Sequence, residues 1–394
     1  MYNFDMIIDR HNTYSIKWDS IKENACPPDT LAMGTADMDF EVCSAVAEAL
    51  ARRAAGHRIY GYSTKLKGCD EAVCDWMKKR HGWEPRPEWI LNTPGVVCAL
   101  KMIIQCFTCP DDGILITRPV YYPFMRSIEG NGRRIVNSPL LRDGSHYDVD
   151  FDDFEEKIRR NGVTMFLLCN PHNPVGRVWT ADELRRMGEI CARHHVLIVT
   201  DEIHCDFTFA PHRFVPFLIA NPHLENEVVV CTAPSKTFNL PGLKYSNIFV
   251  PSREKRKKLL DHLERCGITT CNLFGYIACK AAYTRGASWF DGVLKYLKRN
   301  SDFFRESMAR ELPMMVVSEL QGTYLAWVDF SVLGLSDKQL YEFMIYDAHV
   351  RLDDGIMFGP EGSGFQRFNL GCPRSVIGES VTRIKRAADA RGLI

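Results

Sequence analysis

Four short polar segments carry side chains that could do chemistry. Ala233-Pro-Ser235-Lys236-Thr-Phe-Asn239 offers a lysine amine beside a hydroxyl, and Asp201-Glu-Ile-His204 offers a carboxylate and an imidazole. Asn170-Pro-His-Asn173-Pro-Val-Gly176 offers amides in a tight loop, and Thr93-Pro-Gly95-Val96-Val97 reads as a turn opening a helix. Exposed N–H groups and the helix dipole at such a turn suit a phosphate. A lysine can form a Schiff base with an aldehyde, and a carboxylate can keep a pyridine ring protonated. With a phosphate site, they point to pyridoxal phosphate. Each is weak alone: a lone lysine after a strand is ordinarily a surface residue, and a lone aspartate there a turn or cap residue. Order and spacing add the weight.

These segments need a scaffold that brings them to one edge. Residues 163–169, 196–200 and 228–232 are short apolar runs, each ending where one of the first three segments begins. Residues 113–117 and 246–250 are runs of the same kind. Without polar alternation, they suit strands covered on both faces. Helix-like stretches lie between them; one starts at Thr180, with Glu183 placed for a capping box. Such alternation predicts a mainly parallel α/β sheet, with ligands outside the carboxyl ends of its strands. Past residue 280 the pattern changes to a long helix over 289–311, a strand over 323–330, and helices over 338–348 and 376–390. The expected organisation is an N-terminal segment, 1–45, packing with a small domain. A large domain, 46–280, and a smaller α+β domain, 281–394, follow.

Composition narrows the function classes. The chain has 394 residues, 49 basic and 49 acidic, with 46% hydrophobic and 25% charged side chains. These values exclude a disordered, collagen-like or fibrous chain, and the zero charge balance argues against a nucleic-acid partner. The densest basic stretch, 252–260, reads as a solvated helix face. No apolar run reaches the ~18 residues of a membrane span. Residues 1–19 lack a basic region followed by an apolar core, so a cytoplasmic location is expected. The 15 cysteines are an odd number, and Cys106 and Cys109 form a CxxC without a matching second half. Reduced thiols packed as small hydrophobes are expected, and no metal site.

Further segments extend the pattern over nearly the whole chain. They are Phe4-Asp5, Lys17-Trp18-Asp19, Ala36-Asp37-Met38-Asp39-Phe40, Tyr60-Gly-Tyr62-Ser63 and Pro119-Val-Tyr121. Gln321-Gly-Thr-Tyr-Leu-Ala-Trp327 and Arg367-Phe-Asn-Leu-Gly-Cys-Pro-Arg374 complete the set. Together with the first four, they resemble fold-type I pyridoxal-phosphate enzymes of the class I/II aminotransferase superfamily. Within it they resemble the MalY/PatB-type cystathionine β-lyases.

The resemblance implies a role for each position. Lys236 is the Schiff-base lysine and catalytic base, and Asp201 pairs with the ring nitrogen. Asn173 bonds the ring hydroxyl, and Tyr121 stacks on the ring. Gly95, Val96 and Val97 offer N–H groups to the phosphate, Ser235 a hydroxyl and Lys244 a point charge. His204 stands where aminotransferases commonly carry a tyrosine; it either contacts the ring hydroxyl or packs. Arg367 clamps the substrate carboxylate in a bidentate fork that lysine cannot form, and Thr35 lines the substrate end. Arg374 is structural. Tyr62, or alternatively Tyr60, reaches the phosphate of a second subunit, which implies a homodimer with shared active sites.

Two departures stand out. Ala233 replaces a phosphate-binding serine, and Gly34 stands where the family usually has tryptophan, which bears on the substrate. The implied reaction is α,β-elimination from L-cystathionine or related S-substituted L-cysteines to thiol, pyruvate and ammonia. The alternative is an aminotransferase acting on L-amino acids, because the same residues serve both. The implied partner is a small amino-acid substrate, with no nucleic acid and no membrane.

Overall fold

The apolar runs form strands, and two shorter, more polar segments join them. The computed structural model describes residues 2–56 and 58–394. Its large sheet has the spatial order Ile90–Thr93, Ser246–Phe249, Val228–Thr232, Leu197–Asp201, Val163–Cys169, Gly113–Ile116, Arg134–Asn137. Ser246–Phe249 runs antiparallel to both neighbours, and the remaining pairs are parallel. The fold class is therefore α/β with a mainly parallel sheet.

The two-residue period of a strand splits its side chains between two cores. Ile114, Met165, Leu167 and Val199 pack with Leu100 and Ile103 of helix Val96–Phe107 and Leu259 of helix Arg253–Arg265. Leu115, Phe166, Leu168 and Ile198 face the other core, with Trp76 and with Leu184 of helix Ala181–Arg193. Covering both faces is what removes polar alternation from these strands. Helix Ala181–Arg193 carries the expected capping box: Thr180 Oγ1 accepts the Glu183 N–H at 3.2 Å, and Glu183 accepts the Thr180 N–H at 2.7 Å.

A second sheet is antiparallel, in the order Val316–Val317, Leu325–Asp329, Phe365–Asn369, Asp353–Asp354. Helices Ala287–Glu311 and Arg374–Ala390 supply Phe304, Met308, Ile377 and Val381 to its core. The N-terminal residues have more structure than their irregular pattern suggests. Ser15 caps a helix, Ile16–Glu23, whose buried face is only Lys17 and Ile21. Lys17 is buried because its Nζ pairs with Asp39 at 2.7 Å. Leu31–Ala32 then pairs in parallel with Val350–Arg351 beside the second sheet.

All fifteen cysteines are free thiols, most of them buried. No helix among the described residues is long and apolar enough to cross a membrane. The central strands set the stability. Leu167→Ala, at a fully buried position, should cost about 2–5 kcal/mol. Leu260→Ala, 41% exposed on a helix, should stay within about 0.5 kcal/mol. Denaturant midpoints of the two variants check this.

Candidate active site

The four polar segments all lie at the carboxyl edge of the large sheet. Each follows one of four mutually parallel strands, Ile90–Thr93, Val163–Cys169, Leu197–Asp201 and Val228–Thr232. A cavity of about 240 Å³ opens there. Asp201 is the last residue of its strand and shares the face of Val199 by the two-residue period, so it meets the cavity. Glu202 falls on the opposite face and accepts the Phe217 N–H at 2.9 Å. Lys236 sits in the short helical turn Pro234–Thr237 after the next strand. Its Nζ lines the same cavity and donates to the Ala36 carbonyl at 2.6 Å.

The phosphate-like corner is built from backbone. Gly95 caps helix Val96–Phe107 with φ of 98°, a value that favours glycine, and no side chain caps the helix N–H groups. Gly95, Val96 and Val97 line the cavity with Ser235 and Lys244. A helix N-terminus left uncapped beside a lysine suits a dianion.

Burial dominates the electrostatics. The Asp201 carboxyl is pushed up to about 7, chiefly by burial. Its one hydrogen-bond donor among the described residues is the Ile203 N–H, at 3.1 Å. A buried carboxylate with so little support fits a ring N–H⁺ as partner. Burial, and then the Arg367 charge, pull the Lys236 amine down to about 8. Burial and the charges of Lys236 and Arg367 push His204 well below its usual range, so its imidazole is neutral. Its Nδ1 has no hydrogen-bond partner among the described residues, and its ring meets Tyr324 edge-on at 5.9 Å. Tyr121 lines the cavity, its phenol raised by burial. An aldehyde-bearing, anionic pyridinium ligand fits this set of donors and acceptors.

Arg367 reaches the cavity from the second sheet. Nη1 donates to Asn173 Oδ1 at 3.0 Å, and Nη2 donates to the Gly34 carbonyl at 3.2 Å and pairs with Asp353. The guanidinium also lies 4.9 Å from the centroid of the Phe358 ring, and Thr35 lines the same end. Arg374 stays outside the cavity, stacked between Tyr296 and Phe303. Thus the structure gathers Thr35, Gly95, Val96, Val97, Tyr121 and Asn173 with Asp201, His204, Ser235, Lys236, Lys244 and Arg367. Tyr62 is apart: its side chain is fully exposed and does not line the cavity of its own chain.

Sequence reading missed Asp353 and Tyr122 as lining residues, and the Ala36 carbonyl as a lysine acceptor. Asp353 belongs to no motif; strand register alone brings it to Arg367. Three metal-capable side chains, His81, Cys205 and Asp206, also gather nearby. The Asp206 oxygens are already taken by Trp76 Nε1, His81 Nε2 and the Thr237 hydroxyl.

Comparison with known proteins agrees with this geometry. The model of the family "aminotransferase class I and II" matches residues 28–384. Cystathionine β-lyase PatB of Bacillus subtilis is 42% identical over 98% of this chain and 99% of its own length. Protein MalY of Escherichia coli is 31% identical over 99% of this chain and all of its own. Cystalysin of Treponema denticola, whose crystal structure contains a pyridoxal 5'-phosphate cofactor, superposes with a TM-score of 0.96. It is 34% identical, and the match covers 99% of this chain and 100% of cystalysin. On sequence, fold and cavity together, the chain belongs to the class I and II aminotransferase family of fold-type I enzymes, in the branch of the MalY- and PatB-like carbon–sulfur lyases.

Proposed function

We propose that this chain is a pyridoxal-phosphate-dependent carbon–sulfur lyase. It takes L-cystathionine or a related S-substituted L-cysteine through α,β-elimination to thiol, pyruvate and ammonia. The observation that carries this reading is the convergence of Lys236, Asp201 and Arg367 on one cavity, in a chain 42% identical to a cystathionine β-lyase. The cofactor is pyridoxal 5'-phosphate. When bound, it supplies a carbonyl for the substrate amine and a protonated ring that draws electrons from the α-carbon.

This chain's residues do the rest. Gly95, Val96 and Val97 hold the phosphate through backbone N–H groups, with Ser235 and Lys244 beside them. With the cofactor bound, Asp201 would balance the ring N–H⁺, Asn173 and His204 would serve the ring oxygen, and Tyr121 would stack on the ring. Arg367 binds the substrate α-carboxylate and so fixes which α-carbon bond faces Lys236; orientation of this kind is a large part of catalysis. The Lys236 amine, softened by burial, takes the α-proton. The β-carbon–sulfur bond then breaks, its electron pair leaves on sulfur, and the thiolate takes up a proton. Hydrolysis of the unsaturated amino acid completes the products.

The active form is a homodimer. Support comes from the exposed run Ile59, Tyr60 and Tyr62, apolar side chains that a monomer would leave in water. In the dimer, Tyr62 reaches the phosphate site of the second subunit.

The test is a product assay on the cofactor-loaded protein, with L-cystathionine or an S-alkyl-L-cysteine and no keto acid. Sustained release of pyruvate and thiol is expected. Turnover that appears only with an added keto acid would move the assignment to aminotransferase. Lys236→Ala should keep the fold, by circular dichroism, and lose more than about 10³-fold in turnover.

A second prediction concerns pH. Only the neutral amine attacks a carbonyl, and the neutral form grows as pH rises. Uptake of pyridoxal 5'-phosphate by cofactor-free protein should therefore accelerate through about pH 8, well below the ~10.4 of a free lysine. Arg367 lowers that value, so Arg367→Gln should move the midpoint upward. Stopped-flow absorbance of the bound cofactor reads both.

A further inference from the structure

One acidic side chain in the cavity has no part in the elimination. Asp353 lines the cavity with Tyr122 and Arg367, and its carboxylate is ion-paired with Arg367 Nη2. The pair is built into the second sheet. Asp353 stands directly opposite Arg367 on the neighbouring antiparallel strand, where facing side chains interact. Gly34 makes room for it: a Cβ there would lie 2.5 Å from Asp353 Oδ1 and 3.0 Å from the carbonyl carbon of Leu352. A side chain at position 34 would push the carboxylate aside. The Asp353 side chain is 16% exposed and that of Arg367 2%, so solvent screens the pair weakly.

Charge balance at this end bears on which substrates fit. Without substrate, Arg367 and Asp353 sum to zero. A substrate α-carboxylate on Arg367 leaves one cation facing two carboxylates. Two further cations line the cavity, but Lys236 is committed to the cofactor in the loaded enzyme and Lys244 stands with Gly95, Val96, Val97 and Ser235 at the proposed phosphate corner. Asp37 is paired with Arg10 at 2.7 Å, and Arg126 stacks on the Tyr122 ring without lining the cavity. A substituent on the substrate sulfur is only a few bonds from the held carboxylate and so comes within reach of Asp353.

We propose that Asp353 sets the charge preference for the leaving group: an ammonium beyond the sulfur is attracted, and a carboxylate there is repelled. This rests on the lyase reading and deepens it. The favoured substrates become S-substituted cysteines bearing an ammonium and no carboxylate on the departing side; L-cystathionine carries both groups there, so attraction and repulsion oppose each other.

The test uses three substrates of similar length and different charge with the cofactor-loaded enzyme. They are S-(2-aminoethyl)-L-cysteine, S-propyl-L-cysteine and S-(carboxymethyl)-L-cysteine, followed by pyruvate release. In the native enzyme, kcat/KM should fall in that order over about tenfold or more. Asp353→Asn should compress the spread to about threefold or less, whatever its effect on the neutral substrate, and Asp353→Glu should restore it. Asp353→Ser repeats the charge removal with a smaller side chain if the amide disturbs the strand.

A second readout is equilibrium binding of L-ornithine, L-norvaline and L-glutamate, from the change in cofactor absorbance. A uniform loss across all three charges in Asp353→Asn would show a residue that only positions Arg367, and would overturn the proposal. If native enzyme releases no pyruvate, yet binding follows the charge order and Asp353→Asn flattens it, the lyase reading fails while the charge role stands.

Discussion

A buried carboxylate and a half-buried amine at the floor of one cavity set the terms for the rest of the molecule. Asp201 ends one parallel strand, and Lys236 follows the strand beside it. Taking such groups out of water is costly unless each finds a partner. Here the structure leaves that demand partly unmet. Burial drives the carboxyl up to about 7 and the amine down to about 8. Neither group can retreat, because the strands that carry them are packed on both faces. Close packing turns an electrostatic demand into a fixed geometry. A ligand that brings a ring cation to one end and an electrophilic carbon to the other answers both demands at once.

The second requirement is registry between two cores. Lys236 and Asp201 belong to the large sheet, and Arg367 belongs to the small one. Residues 33–39 run between them and are hydrogen-bonded to both. Asn369 donates to the Thr35 and Asp37 carbonyls, each at 2.7 Å, and its own N–H donates to Met33. On the other side, Asn239 accepts the Met38 N–H and donates to the Met38 and Phe40 carbonyls. Asn239 holds a φ of 56°, which asparagine tolerates better than most residues. Gly371 lets the segment lie close, since a Cβ there would meet Met38 Cγ at 2.7 Å. The Ala36 carbonyl that receives Lys236 sits inside this strap. Two asparagines and a glycine thereby align the Arg367 guanidinium with the Lys236 amine.

Legibility in the sequence followed the same division. The central strands were readable because covering both faces leaves uninterrupted apolar runs. The edge strand Arg134–Asn137 and the short strand Ile90–Thr93 were not, because their mixed side chains are only partly buried. Three of the four chemical segments were readable because they sit at the ends of the central strands, where polar residues follow apolar ones abruptly; the fourth, 93–97, was readable as a turn opening a helix. Helix Ile16–Glu23 was hidden because one of its two buried residues is a lysine, admitted only by Asp39. Asp353 was hidden for a different reason. Its neighbour is fourteen residues away and meets it only through strand register, which composition and spacing do not encode.

These differences have a chemical consequence. The groups proposed to handle protons and hold the ring stand on the sheet edge, and elimination and transamination would both draw on them. They therefore say little about which reaction follows removal of the α-proton. The end of the cavity beside Arg367 is lined instead from the strap and the small sheet, by Thr35 and Asp353. That end lies on other elements than the strand ends that carry Asp201 and Lys236. A fold shared by aminotransferases and lyases can hold its catalytic edge constant while its substrate end diverges.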